Sequence, residues 1–85
     1  MIQFSPEKTD KPNTAERALL ALTHLMWKDV RNATKHRDLQ EDLLQEMALA
    51  IIMRGDGRKL ESYLEAARRR MYKVLKREEK AGRAI

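Results

Sequence analysis

The chain is 85 residues long, with 18 Lys and Arg against 13 Asp and Glu, a net charge of +5 and a sequence pI near 9.8. A chain of this length makes one small domain and buries only about 60–65% of its unfolded surface, which excludes a large core and suits a fold completed by a partner. Its lack of cysteine excludes disulfides and thiolate metal sites, and no run approaches the roughly 18 apolar residues of a membrane span.

The N-terminus, Met1 to Pro6, lacks the charged-then-apolar order of a signal peptide, so a cytoplasmic protein is expected. Charge is unevenly placed. Asp38 to Glu46 holds four acids and no base, whereas Arg68 to Arg83 is rich in bases, opposed only by Glu78 and Glu79. Such a bipolar distribution permits contact with nucleic acid at one end and with basic protein surface at the other. Ala, Leu, Met, Glu, Lys, Arg and Gln dominate, a helix-forming composition, and no strand-like alternation or repeat is present.

Residues 1–12, polar and carrying Pro6 and Pro12, are expected to form a flexible tail, with a single helical domain over 13–85. Helix 1 is expected over about 14–34. Asn13 with Glu16 has capping-box spacing, and Ala15, Ala18, Leu19, Leu22, Leu25, Met26, Val30 and Ala33 follow the helical period. Trp27 falls at the edge of this stripe and reads as a core or rim aromatic. His24 and His36 have no partners at metal-ligand spacing and read as partly solvated helix histidines.

A short link leads to helix 2, expected over about 38–53, with Asp38 as cap and Glu41 reaching back to it. At about 100° per residue, Leu39, Leu43, Met47, Ala50 and Ile51 share one face. Gln45, Ala48, Leu49 and Ile52 lie on the other side, with Asp42 on their flank. Surface helices are ordinarily polar there. A mixture of acids, an amide and aliphatics is the composition of a surface that docks on another protein.

Gly55-Asp56-Gly57 ends the period. It lacks the further acids of a calcium loop and the Lys-Ser/Thr of a phosphate loop, and reads as a turn only. Helix 3 is expected over about 58–80, with Leu60, Tyr63, Leu64, Ala67, Met71, Val74 and Leu75 as its apolar stripe. Ser62, Arg69, Lys73, Lys76 and Lys80 fall opposite, with Arg70 and Arg77 on one flank. Three amphipathic helices with short links predict an all-α, small three-helix bundle.

No catalytic constellation, metal-ligand cluster or cofactor motif is present, so a non-enzymatic protein without metal or cofactor is expected. Glu41, Asp42 and Glu46 read as a solvated or partner-facing acidic surface.

Asp38-Leu39-Gln40-Glu41-Asp42-Leu43-Leu44-Gln45-Glu46 resembles the second conserved region of bacterial sigma factors of the sigma-70 type. The order of the three helices is similar across about residues 15–80, including Gly57 to Leu64 and the base-rich helix ending Val74-Leu75-Lys76-Arg77. The resemblance implies that helix 2 docks on the clamp coiled coil of the RNA polymerase beta-prime subunit through Asp42, Gln45 and Glu46, with Ala48 and Ile52 on later turns of that face, where Leu49 and Ile52 would supply the apolar burial. It implies that helix 3 engages melted promoter DNA, with Tyr63 at a family aromatic position and also in the core stripe. Arg69, Lys73, Lys76 and Lys80 would neutralise phosphates. A chain ending at Ile85 lacks the family's second, upstream-recognition (region 4) domain. A stand-alone region-2 module is therefore expected: half of a split sigma factor whose upstream-recognition domain a separate protein supplies, a phage or mobile-element regulator that occupies the clamp, or an excised fragment. Two other readings stay open: a basic DNA-binding regulator acting without polymerase, and a helical interaction or inhibitor module that buries Leu49 and Ile52.

Overall fold

The computed structural model describes residues 13–82 and consists of three helices: α1 (Ala15–Ala33), α2 (Arg37–Arg54) and α3 (Leu60–Lys80). The described residues contain no strand, only an isolated backbone bridge between Asn13 and Arg58. The fold is the small all-α bundle that the periodicity predicts. The tail expected over residues 1–12 lies outside the described residues.

Helix α1 begins where Thr14, in extended conformation, accepts the Arg17 N–H at 3.2 Å. Thr14 thus takes the capping role expected of Asn13. Asn13 lies one residue too early, and its backbone is paired elsewhere: its N–H donates to the Arg58 carbonyl at 2.7 Å, and its carbonyl accepts the Gly57 N–H at 2.8 Å. A second cap arrives from far along the chain. Asp56 in the α2–α3 turn accepts the Ala15 N–H at 2.8 Å. That carboxylate satisfies one of the four free donors of α1 and sits at the positive end of its dipole. The glycine turn is therefore more than a turn: it caps the first helix.

Helix α2 begins one residue earlier than expected, with His36 as N-cap and no side-chain cap bond. Asp38 consequently stands inside the first turn, where it favours the dipole without capping, and Glu41 is too far along to complete a capping box. The link is held by Thr34 instead. Thr34 is buried; its hydroxyl accepts the His36 N–H at 3.1 Å and its carbonyl accepts the Gln40 side-chain amide at 2.8 Å. Gly55 (φ +79°) ends α2 and Gly57 (φ +85°) follows; both occupy the left-handed region that glycine enters without a Cβ clash. Lys59 is the N-cap of α3, so Arg58 stays outside the helix, in the bridge to Asn13.

The contacts fix the directions. The start of α1 bonds to the end of α2, so these helices run antiparallel. Glu46–Arg70 and Arg54–Ser62 pair α2 with α3 antiparallel in turn. Helix α2 packs on both neighbours, and the contact between α1 and α3 is the slightest of the three. Where those two meet, Arg68 donates to Asp29 through Nε at 2.8 Å. That hydrogen bond to the Asp29 carboxylate holds the Arg68 guanidinium above its ordinary pKa.

The core is Ala18, Leu22, Met26 and Val30 from α1, Leu39, Leu43, Met47 and Ile51 from α2, and Tyr63, Ala67, Met71 and Val74 from α3. Ala15, Leu19, Trp27, Ala33, Leu60, Leu64 and Leu75 pack partly buried against it. Leu25, expected in the α1 stripe, is exposed. It stands about 60° round the helix from Leu22, on a side that neither neighbour covers. Among the described residues no buried side-chain N or O atom lacks a partner, as native interiors require.

Candidate functional site

The outer face of α2 is where the sequence places its anomaly. Asp42 and Gln45 are exposed, while Ala48 is half-buried against the core. Leu49 is 46% exposed, Ile52 54% and Met53 74%. Three large apolar side chains in one and a half turns make a patch rather than scattered surface residues. Met53 extends the expected set and was missed because it lies at the α3-facing edge of the outer face. Glu46, expected on the same face, is already engaged. Its carboxylate accepts Arg70 Nε at 2.8 Å, with the two side chains 26% and 40% exposed. A pair this accessible is worth about 0.2–1 kcal/mol.

On α3, Arg69, Lys73, Lys76 and Lys80 are all exposed. Arg69 forms an ion pair with Glu65 one turn earlier, at 2.8 Å. Tyr63 is placed differently from a base-contacting aromatic: it is fully buried. Its hydroxyl lies within hydrogen-bonding reach of the Asn13 carbonyl, at 2.8 Å, and of the Gly55 carbonyl, and it accepts the Arg58 N–H at 3.4 Å. One ring thus joins the start of α1, the end of α2 and the loop before α3. It stacks on nothing outside the bundle, because the core stripe claims it.

The aromatic that faces solvent is Tyr72, 58% exposed. It stands on the outer face of α3 with Arg68 and Arg69 one turn before it and Lys76 one turn after. The same helical count that puts Tyr63 in the core puts Tyr72 opposite it, so this residue was legible from spacing alone. Tyr72, Arg69, Lys73 and Lys76 form one side of an open groove of about 570 Å³, with Ala50, Met53 and Arg54 on the other. Arg70, Ala66 and Glu65 complete it. Five cations and one anion around a floor of alanines, a methionine and a tyrosine suit a polyanion with flat apolar groups. The antiparallel pairing of α2 and α3 creates this groove, which is why Arg54 and Arg70 could not be assigned to it from their own helices.

His24 is exposed beside Trp27, Arg31, Arg37 and Gln40 around a shallow hollow between α1 and α2. Among the described residues no group of three or more His, Asp or Glu side chains is placed to hold a metal ion, and no helix is long and apolar enough to cross a membrane.

Comparison with protein-family models, with curated proteins and with solved structures finds no match to this chain. The class defined by the fold is a three-helix bundle with an acidic-apolar face on α2 beside a basic groove shared by α2 and α3.

Proposed function

We infer that the protein is a non-enzymatic transcription factor that binds bacterial RNA polymerase through the outer face of α2 and promoter DNA through the basic face of α3. The observation that carries this reading is the exposure together on α2 of Asp42, Gln45 and Ile52, positions that the sigma-region-2 resemblance assigns to the clamp of the beta-prime subunit, with Leu49 exposed beside them. Carboxylate and amide groups beside exposed aliphatics suit a partner helix that offers basic and apolar residues, with the aliphatics buried at the centre and the polar groups at the rim. The groove beside it supports the DNA half of the reading. Arg69, Lys73, Lys76 and Lys80 supply phosphate contacts, and Tyr72, rather than Tyr63, is the aromatic available to an unpaired base. Its place of action is then the cytoplasm, with the polymerase.

A pull-down with purified bacterial RNA polymerase tests the docking half. Wild type is retained, and a Gln45→Ala/Ile52→Asp variant is lost while keeping its helical circular dichroism. Equal retention of both proteins, or of neither, sinks the reading.

A further inference from the structure

We propose that the outer side of the α1–α2 layer binds a second copy of this chain, with α1 of each copy lying along α2 of the other. The two helices present complementary stripes. On α1, Arg17, Leu20, His24, Lys28 and Arg31 are exposed at spacings of three and four, with Trp27 partly buried beside them. Glu16 is the acid nearest that stripe, at its start, and Asp29 is turned to Arg68 on α3. On α2, Asp38, Glu41, Gln45, Leu49 and Ile52 are exposed at the same spacings, and Arg37 at the start is the nearest base. Among the described residues no ion pair engages Lys28, Arg31, Asp38 or Glu41. Leu20 is 75% exposed, Leu49 46% and Ile52 54%, apolar area that one chain leaves open and a second covers.

The register of the two stripes fixes how the copies meet. Helices α1 and α2 run antiparallel with adjoining ends. Arg31 is therefore level with the turn from Asp38 to Glu41, and Leu20 with the turn from Leu49 to Ile52. A twofold axis parallel to the helices lays each α1 on the second copy's α2 at that same level. Leu20 then meets the second copy's Leu49 and Ile52, and Arg31 meets its Asp38 and Glu41, each contact occurring twice. Every neighbouring pair of helices is antiparallel, the arrangement of a four-helix bundle, with Trp27 beside the axis. A twofold axis across the helices instead stacks α1 on α1, base against base, and α2 on α2, acid against acid. Charge thus selects the first pairing. The pair covers Gln45 and Ile52, so a second copy and polymerase exclude each other there. The pairing is tested on this chain alone, and it can hold or fail without the polymerase reading.

Sedimentation velocity of the full chain from about 1 μM to about 1 mM should show a shift from one copy to two and no further, because a closed twofold contact stops at two. Trp27, the only tryptophan, should move its fluorescence emission to the blue over the same range as the indole leaves water. Arg31→Glu and Glu41→Arg should each weaken pairing by about tenfold or more while keeping helical circular dichroism, since each sets like charges together at two contacts. Mixing the two variants should restore pairing, because each then meets the opposite charge on the other copy. Repair within a single fold cannot produce that restoration. Leu20→Ser, at a side chain exposed in the single chain, should weaken pairing without touching a charge.

A chain that stays single up to about 1 mM overturns the proposal, and so does growth past two copies. Pairing that survives both charge reversals overturns it, as does a mixture of the two variants that pairs no better than either alone. If a reversed variant loses its helical dichroism, Leu20→Ser decides: pairing equal to wild type overturns the contact.

Discussion

Two tyrosines nine positions apart on α3 have opposite fates, and the difference can be measured. The Tyr63 hydroxyl is bound among backbone groups of Asn13, Gly55 and Arg58. Tyr63→Phe leaves those groups short of a partner and is expected to cost about 1–3 kcal/mol in urea unfolding. Tyr72→Ala, on the outer face, should stay within about 0.5 kcal/mol of wild-type stability. It should instead weaken oligothymidylate binding by about 1–3 kcal/mol, the usual value of one stacked base. If Tyr72→Ala leaves binding unchanged, Tyr72 stacks on no base.

At the scale of the element, each helix end illustrates how local rules and long-range partners divide the capping work. Thr14 caps α1 by a bond to Arg17 N–H, so Thr14→Ala should lower stability by about 1 kcal/mol. Asp38, inside the first turn of α2 without a capping bond, contributes only its charge to the dipole. Asp38→Ala is expected to cost about 0.3–1 kcal/mol, and that loss should shrink in high salt. Thermal unfolding at low and high salt separates the two cases: the Thr14 effect persists and the Asp38 effect fades. The helices themselves were legible in the sequence, with ends within two residues of those observed. The caps were less so, since a shift of one or two residues in a helix start leaves the expected capping side chain outside the helix, as at Asn13, or inside its first turn, as at Asp38.

At the scale of the molecule, α2 lies at the centre of both the fold and the candidate site. Its inner residues Leu39, Leu43, Met47 and Ile51 are fully buried, while Leu49, Ile52 and Met53 face outward. The two sets should respond differently to substitution. Met47→Ala opens a cavity in the core, where Met47 is fully buried, and should cost about 2–5 kcal/mol, enough to unfold much of so small a domain. Leu49→Ala removes an exposed side chain and should leave unfolding nearly unchanged, while reducing retention by polymerase. A large loss of stability in Leu49→Ala would place that side chain in the fold's own packing and remove it from the proposed docking face.

The sequence by itself determined the helices, their core stripes, the basic outer face of α3 and the surplus of apolar surface on α2. All of these follow from spacing within one helix, where residues three and four apart share a face whatever surrounds them. The tertiary structure alone decided which residues meet across helices. It made Asp56 a cap for α1, tied the Tyr63 hydroxyl to two other segments, engaged Glu46 with Arg70, and opened a groove that brings Met53 and Arg54 beside Tyr72 and Lys76. Those pairings depend on how each helix is rotated and on which neighbour covers it, and the helical period carries no information about either. The face on α2 was therefore readable in the chain, whereas its ion pair with Arg70 of the groove existed only once α2 and α3 were packed side by side.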